Sequence, residues 1–268
     1  MTAHRPLAYP AGPPPVPARR SARHPARAGR GPRWSVHLAT VAGIGIRVHA
    51  SFLVLVVLVA MGSTAPGAPG LVPGLVWLVA LFACVIAHEL AHSVVARRYG
   101  IPVLEIELLP IGGVSKLERW PDDPPEALRV AAAGPAASIA LGLTFIALCL
   151  LAGVSLWPPT IYGGGILARL AWVNLLLAVF NLTPALPLDG GRVLVAVLQP
   201  HLGRARATRA AARLGRALGA AMAVIGFFSN VWLLLIGLFV VLGSRAEEAA
   251  LPPSAGRGDG DGALGGAR

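Results

Sequence analysis

A chain of 268 residues that is 55% hydrophobic and only 13% charged, with a mean hydropathy of +0.68, lacks the polar surface of a soluble domain and reads as a polytopic membrane protein. Its formal net charge of +11 does not point to nucleic acid: seven arginines fall in residues 1–33 and six in residues 192–216, with no acid in either block, and both blocks flank apolar stretches where arginine sets orientation and meets anionic headgroups. The two cysteines, Cys84 and Cys149, each sit inside an apolar stretch, so a disulfide framework is not indicated.

Residues 1–35, rich in Arg and Pro and without the apolar core of a signal peptide, are expected to form a disordered cytoplasmic tail. A core over residues 36–248 follows. Its first apolar stretch, Val48 to Met61, reaches spanning length only if extended upstream through Ile44 and Ile46, with the Arg47 guanidinium snorkelling to the headgroups. A helix needs about 20 apolar residues to cross about 30 Å of hydrocarbon, and the stretches Leu71 to Ala96, Ala127 to Gly153 and Leu167 to Leu188 meet that length. The fifth, Leu218 to Leu242, is divided by Phe228, Ser229 and Asn230. It is either one long span or, with residues 210–218 added, a two-helix hairpin, giving five or six spans. Residues 249–268, dominated by Gly, Pro, Ala and Asp, read as a second disordered tail. With the N-terminus in the cytoplasm, the charge-free segments 62–70 and 153–165 fall outside, while Arg97, Arg98 and the block 192–216 fall inside.

Acids inside hydrocarbon are costly and need a partner. Of the twelve Asp and Glu residues, only Glu89 and Asp189 lie in the apolar stretches. Glu89 belongs to HELAH, residues 88–92. One helical turn separates His88 from His92, so both imidazoles can reach a single Zn²⁺ while Glu89 projects beside them toward water. A catalytic zinc wants a third protein ligand and an open position, and Asp189 in FNLTPALPLDGGR is the candidate. The bland alternative is that Asp189 merely opens a turn with Gly190 and Gly191. Depth favours the ligand: His88 and His92 precede the Arg97–Arg98 pair by about 13 and 8 Å along a helix, and Asp189 lies close to Arg192.

In the same run Pro184 and Pro187 must break the helix, and backbone freed in this way is tolerated where it lines a polar cavity. Asn174 and Asn181 share a helical face. Asn181 could hold a substrate carbonyl or oxyanion, or make an interhelical hydrogen bond, whereas Asn174 reads as packing. Cys84 is too far along the axis from His92 to share its metal and reads as a packed small residue. His49 could approach the site or snorkel to the interface.

HELAH within an apolar stretch, followed by NLTPALPLDGG at residues 181–191, resembles the site-2 protease family of intramembrane zinc metalloproteases. GIGIRVHASFLVLV, LLPIGGVSKLE and AAAGPAASIALG extend the resemblance over residues 44–248. It implies an all-α polytopic fold of five to six transmembrane helices with a short re-entrant β-hairpin-like segment near 103–117, in which Gly112 and Gly113 help receive the substrate. It also implies one zinc ion per chain held by His88, His92 and Asp189, with Glu89 as general base. The expected location is the cell membrane, the site lying toward the cytoplasm. The expected substrate is a single-span membrane-anchored protein, for example an anti-sigma factor. The rival reading, a metal transporter using HELAH as a transit site, calls for further ligand-type residues along several spans, and these are not seen. Oligomeric state is left open.

Overall fold

Ile44, Ile46 and Val48 alternate with Gly45, Arg47 and His49, and this two-residue period folds Ile44–His49 as a strand, β2, rather than as the upstream half of a helical span. That corrects the expectation for the first apolar stretch. The structure, a computed structural model, describes residues 34–63, 70–110, 112–158 and 165–251. The tails expected at 1–35 and 249–268 fall outside these residues apart from 34–35 and 249–251. Among the described residues, β1 (Ser35–Val41) and β2 precede two helices, α1 (Phe52–Gly62) and α2 (Leu71–Arg98). A second strand pair follows, β3 (Val103–Leu109) and β4 (Gly112–Leu117). Five helices complete the chain: α3 (Pro124–Leu151), α4 (Ile166–Asn181), α5 (Asp189–Leu202), α6 (Arg204–Ser229) and α7 (Val231–Ala249).

The hairpin expected near 103–117 is present, but it is half of a four-stranded sheet of order β1-β2-β3-β4. β2 lies antiparallel to β1 and parallel to β3, and β3 is antiparallel to β4. One face carries Ile44, Ile46, Ile106 and Leu108, all buried, against Leu78, Phe82 and Val85 of α2. The other carries ions: Lys116 Nζ lies 2.8 Å from Glu105 Oε1 and 2.7 Å from Glu107 Oε2, and Arg47 Nε lies 3.6 Å from Glu105 Oε2.

α1 runs antiparallel to the first half of α2, and β2 leads into it. Arg97 of α2 donates to the Ala42 carbonyl just before β2. Phe52, which opens α1, meets Phe82 edge-on with ring centroids 4.7 Å apart. Further along, Gly74 faces Ser63 at the end of α1. From Arg97 to Gly74 is about 34 Å of helix. Because β2 is paired on both edges, its backbone groups are satisfied.

Among the described residues, α2, α3 and α6 are long and apolar enough to cross a membrane, while α1 and α4 are apolar but shorter. The molecule is therefore mostly helical with three candidate spans, and the five or six helical spans expected are not established. The fourth apolar stretch is helical only to Asn181, since Pro184 and Pro187 hold residues 182–188 out of the helix. The fifth is two helices, with Asn230 capping α7 by accepting from the Trp232 N–H at 2.7 Å. The arginines expected in a cytoplasmic loop stand mainly on the first half of α6, from Arg204 to Arg216.

Candidate metal centre

His88 and His92 lie one turn apart on the buried face of α2, with 2% and 5% of their surface exposed. Asp189 arrives from the first residue of α5. Its approach depends on Gly190 and Gly191: a Cβ at either would strike the backbone of the 182–188 segment, which folds directly over the start of α5. The DGG sequence is thus a close backbone approach as well as a helix start.

The three side chains converge. His88 Nε2 and His92 Nε2 each lie 3.1 Å from Asp189 Oδ2 and 3.2 Å from each other. Ligand atoms about 2.0–2.1 Å from a tetrahedral ion are about 3.3–3.4 Å apart, so these spacings suit one zinc ion. The outer nitrogens agree with this. His92 Nδ1 lies 2.7 Å from the Val130 carbonyl, which can only accept, so Nδ1 carries the proton and Nε2 turns a lone pair inward. His88 Nδ1 lies 2.9 Å from Ser138 Oγ, which can accept in the same way. Two inward lone pairs at this separation repel unless a cation or proton lies between them. Gly134 of α3 completes the cradle, since a Cβ there would overlap both Nε2 atoms.

Glu89 points to the side. Ser115 of β4 donates its backbone N–H (3.1 Å) and its hydroxyl (2.6 Å) to Glu89 Oε2. Glu89 and the three convergent residues border a cleft of about 540 Å³. Gly112, Gly113 and Asn181 line the same cleft, so it brings together the candidate ligands, the candidate base and the candidate substrate-binding residues. Asn181 Nδ2 donates to Leu177 of its own helix at 3.0 Å, leaving its oxygen without that tie. Arg192 lines the cleft as well, stacked 4.3 Å over the Trp120 ring and paired with Glu247 at 2.7 Å. His49 bonds locally to Ser51, and Asn174 is buried with its amide on Leu170 of its own helix. Cys84 is buried outside the cluster. Ser115, Ser138, the Val130 carbonyl and Gly134 are additions from the fold.

An HExxH helix whose imidazoles meet a carboxylate from a second helix, within a mainly helical and apolar scaffold, defines a metalloprotein of the HExxH class. The model of peptidase family M50 matches residues 76–162 and 164–226. A solved structure, a site-2 protease from Methanocaldococcus jannaschii, superposes with a TM-score of 0.63 at 33% identity, covering 82% of this chain and 98% of that one. The chain belongs to peptidase family M50, of the site-2 protease type, and its centre is correspondingly a zinc-type site. A zinc metalloprotease of the same archaeon is 35% identical over 80% of this chain. The zinc metalloprotease Rip3 of Mycobacterium tuberculosis is 42% identical over 82% of it. The chain spans 61% and 60% of the lengths of these two relatives.

Proposed function

We propose that this chain is a zinc-dependent intramembrane endopeptidase that hydrolyses peptide bonds in or near the transmembrane segment of a single-span, membrane-anchored protein. The observation that carries the reading is the convergence of His88, His92 and Asp189 beside Glu89 in a cleft walled by a strand at the edge of a sheet. In this reading the three residues hold one zinc ion, which when bound supplies Lewis acidity toward water and the scissile carbonyl. Glu89 accepts a proton from the attacking water as the new C–O bond forms. It returns that proton to the amide nitrogen as the C–N bond breaks.

A transmembrane helix hides its peptide bonds in its own hydrogen bonds, so the segment must unwind before cleavage. The free edge of β4, with Gly112 and Gly113, can pair with the unwound chain, and the Asn181 amide can orient a carbonyl. The core is taken as residues 36–248 in a cell membrane, with N-terminus and active site toward the cytoplasm, as the arginine distribution suggests. Membrane-anchored regulators such as anti-sigma factors suit the family resemblance. The transporter alternative is not favoured: among the described residues a single group of three can hold a metal, whereas a transit path needs several. Coexpression with a tagged single-span model substrate tests the reading. Wild type is expected to cleave it and Glu89→Gln to retain zinc without cleaving. Equal cleavage by both would sink the proposal.

A further inference from the structure

We propose that Ser115 is the positioning residue for Glu89: its hydroxyl and backbone N–H together hold one oxygen of the base at the end of the strand edge that receives the substrate. This rests on the endopeptidase reading above. The hydroxyl is 2.6 Å and the N–H 3.1 Å from the same atom, Glu89 Oε2. A glutamate side chain has three rotatable bonds, and two donors on one oxygen remove most of that freedom while leaving Oε1 to take a proton. The anchor is itself fixed. Ser115 Oγ also lies 3.1 Å from the Glu89 carbonyl and 3.3 Å from Ser93 Oγ one turn on, so strand and helix are joined at that point. Two residues earlier, Gly113 presses on the same glutamate: a Cβ there would sit 2.7 Å from Glu89 Cγ. The base is therefore confined between Gly113 and Ser115.

The same contact sets how a substrate chain can pair. Alternate residues of a strand turn their backbone N–H and C=O to the same edge, so Gly113 and Ser115 share the edge that faces the cleft. At Ser115 the N–H is already engaged by Glu89, whereas among the described residues no side chain takes the Gly113 N–H. An extended substrate thus pairs through Gly113 and stops at Ser115, which places the next peptide unit beside the base and fixes the cleavage register.

The test uses the purified full chain in liposomes with a tagged single-span model substrate, comparing wild type, Ser115→Ala, Ser115→Thr and Glu89→Gln. Ser115→Ala is expected to lower kcat by roughly 10- to 100-fold, with KM within about twofold and zinc content unchanged. Ser115→Thr keeps both donors and is expected to recover most of the rate. Ser115→Ala is also expected to spread cleavage over neighbouring bonds, read by mass spectrometry. Wild-type kcat in Ser115→Ala, a loss explained by missing zinc, or a loss that Thr does not restore would each overturn the assignment. Activity in Glu89→Gln would instead overturn the endopeptidase reading, so the two failures are told apart.

Discussion

Gly134 is the residue at which the metal centre has least room for change. A methyl group there would overlap His88 Nε2 and His92 Nε2 together, and neither ring can swing aside. Each is tethered through Nδ1, one to Ser138 and the other to the Val130 carbonyl. Gly134→Ala is therefore expected to remove zinc from purified protein by elemental analysis while leaving helical content by circular dichroism unchanged. Retention of zinc would show that α3 can withdraw. The convergence of His88, His92 and Asp189 was legible in the sequence, because an ionisable group inside an apolar run has few inexpensive explanations. Gly134, Ser138 and Ser115 were not. They are small residues without charge or period to mark them, and their partners lie 26 to 50 positions away along the chain.

At the scale of elements, the α6–α7 hairpin is a close helix pair built on glycine. A Cβ on Gly226 would strike the backbone of Leu233 and Leu234, and one on Gly237 the backbone of Gly219 and Ala223. Such helices approach to backbone contact, and dispersion between them replaces the hydrophobic drive that lipid cannot supply. Gly226→Val is expected to cost about 1–3 kcal/mol by forcing the helices apart, seen as a lower melting temperature in detergent. An unchanged melt would mean the hairpin can splay freely. The break at Asn230 was visible as a polar interruption. Less visible was β2: six alternating residues followed at once by an apolar helix look like one long apolar stretch. The local signals, its alternation and the adjacent antiparallel partner β1, were masked by the apolar helix that follows, and the second partner, β3, is reached only after α1 and α2.

Across the whole molecule, the candidate centre ties α2 to α5, elements otherwise joined through α3, which packs on both. A ligand that binds the folded state stabilises it by mass action, by about 4 kcal/mol at a thousandfold excess over Kd. Treating wild type with 1,10-phenanthroline is thus expected to lower its melting temperature by several degrees. Asp189→Ala, which removes the candidate ligand from α5, is expected to melt low already and to respond little. An equal response in both would place the metal elsewhere.

The pairing of β2 on both edges makes its position all-or-none. An apolar helix in its place could turn or slide along α2 by small steps, each keeping part of its apolar face covered. A strand has no such intermediate positions: a slip of one residue would turn Ile44 and Ile46 out of the core and Arg47 into it. The sheet therefore has a single register against α2, and β4, at its far edge, meets Glu89 at one fixed point.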